Sequence, residues 1–489
     1  MENTYTKKPH AIMIPLHYQG HVTPSVNLAI KLASKGFIIT FVNTEIVHHQ
    51  ITKSKSFNTT ELEEKDRDIF AGARKSGLDI RYKTVSDGFP LSFDRFLNAK
   101  QFGEGSLHVF PAHVDELVGN LVREDPSVSC LIADTFFTWT SWIAKKYKLI
   151  NVSFWTEPAL VFTLYYHVDL LIQNGHFASN DNREDTIEYI PGVKAIEPKD
   201  LPSFFQSTDT NTLRHRIIYK SFEDVKAADF ILCNTVQELE SDTISAIQDK
   251  QPIYAIGPVL PSEFTKSIVP TSLKAEFDCS QWLNSKPQGS VLYVSFGSAL
   301  PSKKSDIEEI AHGLALSGVN FIWVLRPDAV SYEEPYVLPL EIEDKIKDKG
   351  LIVQWCNQVE VISNPAIGGF LTHCGWNSVM ESLRCGVPLL CFPLFTDQPT
   401  NRKLVVDDLR VGINLCIREP LTRSEVAQKI NRLMSGKSAE ELRKETMKVR
   451  STSEKALAIA GSSEKNLCQF IDDVKDKISE LFLENSNNR

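Results

Sequence analysis

The sequence predicts an α/β protein of two domains, each built around a parallel sheet. Three observations predict it. Short apolar runs alternate with stretches of helical periodicity, the order within each repeat is strand, loop, helix, and 489 residues exceed what a single core usually holds. A composition of 42% hydrophobic and 24% charged residues excludes collagen-like, disordered and disulfide-stapled classes. The net charge of −9 argues against a nucleic-acid partner or an anionic membrane surface. Nine cysteines, an odd number with no C-x-x-C pair, read as reduced thiols. The polar start Met1–His10 has no signal-like apolar core. The longest apolar run, Ala159–Tyr166, falls far short of the ~20 residues that cross a bilayer. A cytoplasmic protein without stable membrane insertion is expected.

His10–Leu16 reads as a buried strand and Phe37–Val42 as the next. Between them Val26, Ala29, Ile30 and Ala33 recur at helical spacing. Thr23 offers a cap for that helix, with Pro24 at its first position and Gly36 after its last turn. The order implies a parallel βαβ unit with its loop at the carboxyl edge of the first strand. The pattern returns as a strand at Val128–Ala133 ending at Asp134, a helix at Thr138–Lys148 and a strand at Leu149–Phe154. In the second half it returns at Ser290–Phe296, Ser305–Leu316 and Asn320–Leu325. Leu351–Trp355, Ile367–Leu371 and Val387–Phe392 are further strand candidates. The Pro-, Ser-, Thr- and Lys-rich stretch Gly257–Thr271 reads as a linker, and Ser54–Asp68 and Gln173–Asp185 as surface insertions. Leu467, Phe470, Ile471 and Val474 give a last helix its apolar face, and Ser463 stands where a cap would.

The densest chemistry lies in the 44 residues Trp355–Gln398. At their centre a strand runs through the tight loop Thr372–Trp376 into a helix opening at Asn377-Ser378. A helix start offers unpaired N–H groups and about half a positive charge, and His373, Asn377 and Ser378 add donors around it. Gly375 permits close backbone approach. A diphosphate fits this loop, and so does a bare capped helix.

This segment resembles the signature box of plant family-1 UDP-dependent glycosyltransferases. The resemblance extends over most of the chain, including Gly20-His21 and Val294–Ser298. It implies a GT-B type α/β fold, with two Rossmann-like domains facing a central cleft. Residues 1–256 would form an acceptor-binding domain, 257–280 a linker and 281–462 a UDP-sugar-binding domain. A final helix at about 463–489 would pack back on the first domain. The resemblance further implies that Trp355 stacks on uracil, with Cys356 beside it and Gln358 near base and ribose. Glu381 would accept from the ribose hydroxyls. His373, Asn377, Ser378 and Ser298 would hold the diphosphate. Trp376, Asp397 and Gln398 would hold the sugar, joined by Thr156 of Phe154-Trp155-Thr156.

Moving a sugar from a diphosphate to an alcohol requires a base for the acceptor proton, and histidine titrates in the useful range. His21 follows the first strand at an edge where α/β proteins bind ligands. In the resembled family the histidine of this motif is the base and a carboxylate orients it; Asp134 occupies the matching position. His17 is the competing base. Asp66-Arg-Asp68 has the D-x-D form of metal-dependent nucleotide-sugar transferases but sits in a polar, charge-dense stretch. Transfer without metal or cofactor is therefore expected. Phe89, Phe93, Phe136, Phe137, Phe204 and Phe205 suggest a flat or apolar small-molecule acceptor or, singly, ordinary core. The reading that results is inverting transfer of a hexose, with glucose favoured through Gln398, from a UDP-sugar to a hydroxyl, giving a β-glycoside in a monomeric enzyme of secondary metabolism. A non-catalytic UDP-sugar-binding regulator is the alternative, and an epimerase or phosphorylase on the same fold is a third.

Overall fold

The computed structural model describes residues 8–54, 68–179, 185–261, 269–416 and 420–487. It divides into two compact units. The first comprises Met1–Tyr166, Asp209–Lys274 and Ala456–Arg489, and the second comprises His167–Thr208 and Ala275–Lys455.

The first unit carries a parallel sheet of seven strands, in the order β3-β2-β1-β4-β5-β6-β7. They are β1 (His10–Ile14), β2 (Ile38–Thr44), β3 (Ile80–Val85), β4 (Val128–Asp134), β5 (Ile150–Trp155), β6 (Phe230–Cys233) and β7 (Ile253–Ala255). Side chains alternate across it, as strand geometry requires. Ala11 and Met13 enter a core shared with Phe37, Phe41 and Phe70, while Ile12 and Ile14 enter another with Phe110, Phe137 and Trp139. Both faces are covered, which is why β1 is buried throughout and apolar after His10, whose Nε2 is 2.8 Å from the Thr40 hydroxyl.

The second unit carries a parallel sheet of six strands in the order β10-β9-β8-β11-β12-β13. They are β8 (Val291–Ser295), β9 (Asn320–Val324), β10 (Gly350–Val353), β11 (Ile367–Thr372), β12 (Leu389–Cys391) and β13 (Gly412–Asn414). In both sheets the order reverses once, between β1 and β4 and between β8 and β11. Helices leave such a reversal on opposite faces and open a crevice at the carboxyl edge, where doubly wound sheets hold ligands.

Several expectations need correction. The first helix starts at Gln19, with no side-chain cap. Gln19 Nε2 donates to the Thr23 hydroxyl at 2.7 Å and to the Thr271 carbonyl at 2.8 Å, and the presumed loop is wound into a helical turn. Pro24 consequently lies inside the helix. The helix expected at Asn377-Ser378 opens one residue earlier, at Trp376. Ser463 does not cap the last helix, Ser462–Asn487; its hydroxyl donates to the Gly257 carbonyl at 2.6 Å. Leu467, Phe470, Ile471 and Val474 of that helix are buried in the first unit's core, where the Phe470 ring meets Phe230 of β6 at 5.8 Å and Tyr254 of β7 at 5.7 Å.

The domain limits differ as well. Residues 167–208 group with the second unit, not with 1–256. The expected linker is packed where it is described. Val259 and Val269 are buried in the first unit's core, and the Val259 amide donates to Asn234 Oδ1 at 2.8 Å. In the expected insertion at 173–185, His176 is buried and bonded to Asp185 and Tyr189 at 2.9 Å each.

Candidate active site

In the first unit the sheet reversal brings two expected residues together. His21 lies in the first turn of the helix Gln19–Ser34, after β1, and Asp134 ends the neighbouring β4. His21 Nδ1 is 2.7 Å from Asp134 Oδ2. The other carboxylate oxygen accepts from the Phe136 amide at 3.0 Å, so the turn after β4 fixes the carboxylate plane. Asp134 is buried while His21 keeps some exposure. A carboxylate can only accept, which assigns the proton to Nδ1 and makes Nε2 the basic nitrogen.

Thr156, immediately after β5, places its hydroxyl 3.1 Å from the same Nδ1. It therefore lies beside the histidine, a contact its sequence position does not suggest. His17 is packed against Tyr18 and Phe102, with ring centroids 4.1 and 4.8 Å away. Burial lowers its pKa to about 3, which leaves a weak base.

Around this pair the Phe136 ring meets His21 edge-on at 5.9 Å, and Phe89 stacks on Phe93 at 4.4 Å. The loop bearing Phe93 is tied down by Arg95, whose guanidinium makes a two-pronged pair with Asp87 at 2.7 and 2.9 Å. Of the six aromatics expected near an acceptor, Phe89, Phe93 and Phe136 are half-buried here. Phe137 is core against Trp139 at 4.7 Å. Phe204 and Phe205 belong to the second unit, where Phe205 is buried.

In the second unit the reversal lies between β8 and β11, whose last residues Ser295 and Thr372 are in register. Ser298 follows one strand and His373 the other. The His373 ring is wedged between two glycines: a Cβ on Gly297 or on Gly375 would fall 2.5 Å from its Nε2. Gly297 also has φ of +80°, which a side chain would oppose. Burial and then the Arg326 cation lower the His373 pKa to about 4, so the ring is neutral near pH 7. The ring is also hydrogen-bonded to the Ser295 backbone, at the end of β8. The helix Trp376–Cys385 opens next to it, with Gly375 at the cap position, Asn377 half-buried and Trp376 and Ser378 buried.

Arg326 escaped the sequence reading. It is buried and donates to the carbonyls of Ser298 at 2.8 Å and Leu300 at 2.7 Å, fixing the loop that carries Ser298. Its one carboxylate partner among the described residues, Asp328, is 3.0 Å away. The cation is thus held under a loop expected to face anions.

Glu381 and Ser378 share one face of that helix. Gln358 Nε2 donates to Glu381 Oε2 at 2.7 Å and to Ser378 Oγ at 2.9 Å, and its Oε1 accepts from the buried Tyr293 hydroxyl at 3.3 Å. Gln358 therefore organises Glu381, and Tyr293 is a second residue missed from the sequence. Burial pushes the Glu381 pKa up to about 7. Trp355 is half-buried, and its carbonyl accepts from the Phe277 amide at 2.9 Å. The Cys356 side chain is buried, with its sulfur 3.7 Å from the Tyr293 hydroxyl.

Beyond β12, Thr396 has φ of +63°. A β-branched residue there costs about 1–3 kcal/mol, so its surroundings must enforce it. Its hydroxyl donates to Asp397 Oδ1 at 2.7 Å, and Asn401 donates to Asp397 Oδ2. Gln398 Oε1 accepts from the amides of Leu394 and Phe395 at 2.8 and 3.0 Å, which turns its Nε2 donors away from those amides. Thr372–Trp376 and Phe395–Gln398 are tied through Asn401, whose Nδ2 also donates to the Cys374 carbonyl at 2.9 Å.

A family model described as UDP-glucoronosyl and UDP-glucosyl transferase matches residues 257–452. UDP-glycosyltransferase 86A1 of Arabidopsis thaliana is 59% identical over 484 residues, 98% of this chain and 97% of that one. The chain is a plant family-1 UDP-glycosyltransferase. The 7-deoxyloganetin glucosyltransferase of Catharanthus roseus is 35% identical, covering 97% of this chain and 98% of its own. Among solved structures, Os79 from O. sativa in complex with UDP aligns with a TM-score of 0.78 at 25% identity, over 95% of this glycosyltransferase and 100% of that chain. An anthocyanidin 3-O-glucosyltransferase in complex with UDP gives 0.79 at 24% identity, over 96% and 100% respectively, a likeness of fold. The fold of this glycosyltransferase is accordingly the two-domain α/β fold of the GT-B type.

Asp66 and Arg67 of the D-x-D sequence lie outside the described residues. Asp68 accepts from the Phe70 amide at 2.8 Å and pairs with Arg74 at 2.9 Å, which is helix-start chemistry. Among the described residues no group of three or more His, Cys, Asp and Glu side chains could hold a metal ion, and no helix is long and apolar enough to cross a membrane.

Proposed function

We propose that this UDP-glycosyltransferase moves glucose from UDP-glucose to a hydroxyl of an apolar or aromatic small molecule, with inversion at the anomeric carbon. The observation that carries the reading is the His21–Asp134 contact of 2.7 Å. Asp134 holds the proton on Nδ1, so Nε2 takes the acceptor's proton as its oxygen attacks C1. The imidazolium that forms is stabilised by the buried carboxylate, worth ~10²–10⁴ in rate for general-base catalysis. One in-line displacement converts an α-linked donor into a β-glycoside.

On the donor side, Trp355 stacks on uracil and Glu381, held by Gln358, accepts from the ribose hydroxyls. The diphosphate meets the first turn of the helix Trp376–Cys385, with Ser298, His373, Asn377 and Ser378 as donors. His373 acts as a neutral donor to the diphosphate. The helix end and the Arg326 cation stabilise charge growing on the leaving UDP, without metal or other cofactor. Trp376, Asp397 and Gln398 hold the sugar. The name of the Catharanthus relative, a glucosyltransferase, supports glucose. Half-buried Phe89, Phe93 and Phe136 support a flat, apolar acceptor. We also read the protein as a cytoplasmic monomer.

The test is UDP release across an acceptor library with UDP-glucose as donor, followed by NMR assignment of the product's anomeric configuration. An acceptor-dependent β-glucoside is expected. Binding of UDP-glucose without turnover on any acceptor, or an α-glucoside, overturns the proposal.

A further inference from the structure

We infer that Ser203 and Asp200 are positioning residues for donor-sugar recognition, acting as a clamp on the strained turn that carries Asp397 and Gln398. The inference rests on the proposed role of those two residues as sugar contacts. The turn's own bonds, to Gln398 Oε1 and the Asp397 carboxylate, leave the backbone N–H and C=O of Thr396 to an outside partner. Thr396 has its backbone at φ of +63°, where a β-branched residue is an outlier, and Asp397 and Gln398 follow it directly.

That partner comes from a segment almost two hundred residues earlier in the chain. The Thr396 amide donates to Ser203 Oγ at 2.7 Å, and the Ser203 amide donates back to the Thr396 carbonyl at 2.8 Å. This reciprocal pair satisfies both backbone groups of the strained residue. One turn further on, the Thr400 hydroxyl donates to the Asp200 carbonyl at 2.6 Å. The Arg402 guanidinium forms a buried ion pair with the Asp200 carboxylate. Phe204 packs edge-on against Phe395 at 5.2 Å, on the other side of Thr396. Ser203 and Asp200 therefore hold the turn before and after Asp397 and Gln398. The clamp itself is anchored, since Gln206 Nε2 donates to the Leu201 carbonyl at 2.6 Å and closes the segment on itself.

The sites assigned to uracil and ribose, around Trp355 and Glu381, are built from other bonds. Loosening the clamp should consequently reach the sugar and leave the uracil and ribose contacts in place, the Asn401–Cys374 bond being the turn's link to the diphosphate loop. A small displacement of a positioning group is enough to lose much of an oriented contact.

The experiment compares Ser203→Ala, Asp200→Asn and the conservative Ser203→Thr with the parent enzyme. Each is titrated with UDP and, without acceptor, with UDP-glucose, then assayed with UDP-glucose and UDP-galactose. With the alanine and asparagine variants, UDP affinity should stay within about twofold while UDP-glucose affinity falls roughly tenfold. The preference for one hexose over the other should narrow, and threonine should restore both. Asp200→Asn keeps the volume and serves if Ser203→Ala does not fold. A ratio of UDP-glucose to UDP affinity equal to that of the parent in both variants overturns the inference, as does a proportional loss of both ligands. Gln398→Ala separates the two layers. If it changes the ratio and the clamp variants do not, the clamp alone is refuted. If it too leaves the ratio unchanged, the sugar-contact reading fails and takes the clamp with it.

Discussion

Gln358 donates a 2.7 Å hydrogen bond to Glu381, and that bond opposes the burial that pushes the Glu381 pKa up to about 7. The residue therefore titrates close to neutrality, with consequences of opposite sign for binding and for folding. A ribose diol needs the ionised acceptor, so UDP affinity should weaken several-fold as pH falls from 8 to 6. Calorimetric titration across that range checks it, and Glu381→Gln should flatten the dependence to what the terminal phosphate of UDP, itself titrating at pH ~6, contributes.

Folding runs the other way. The native state binds this proton more tightly than the unfolded chain, whose carboxyl has the ordinary value of 4.5. The contribution of the protonated form is complete below about 4.5 and is lost as pH rises through 7, on the order of 3 kcal/mol in all. Melting curves of ligand-free parent and Glu381→Gln should diverge in favour of the glutamine as pH rises from 5 to 8.

Gly297→Ala and Gly375→Ala each place a methyl 2.5 Å from His373 Nε2. The ring must move, and UDP affinity should drop by roughly tenfold or more. Gly297→Ala should also cost about 1 kcal/mol or more of stability through its positive φ. Isothermal titration and denaturant melts measure the two effects separately.

His21→Ala should reduce transfer by ~10²–10⁴ with donor affinity retained. Asp134→Asn should approach that loss, because an amide no longer selects the Nδ1–H tautomer. His17→Ala should alter chiefly the acceptor KM, since its pKa of about 3 suits it poorly as a base. Single-turnover rates with saturating donor decide; a larger loss from His17→Ala would reassign the base.

Turnover should survive EDTA. Complete loss restored by Mg²⁺ or Mn²⁺ would mean that the helix end, Arg326 and the side-chain donors are not sufficient for the leaving UDP.

The parts legible in the sequence were those dominated by local pattern. Central strands such as β1, β4, β8 and β11 are rich in apolar residues because both faces are covered, and their carboxyl ends or the segments that follow carry His21, Asp134, Ser298 and His373. β3, β6, β7 and β13 escaped notice. β3 is an edge strand with half its residues exposed, and β7 and β13 have three residues each, too few for periodicity to register. The cap signal at Thr23-Pro24 misled because a tertiary contact of Gln19, to residue 271, decided where the helix began. The same limit hid Thr156 beside His21, Arg326 under Ser298 and Ser203 against Thr396. Each is a pairing between segments far apart in the chain, and neither residue type nor spacing announces it.

The helix Ser462–Asn487 fills the first unit's core with Leu467, Phe470, Ile471 and Val474. During synthesis, the ribosome makes the whole second unit before that helix emerges. The amino-terminal sheet must wait with an apolar face unsealed, a period in which chaperone capture or aggregation competes with maturation. A stop codon before Leu467 would thus damage the half of the protein that was translated first.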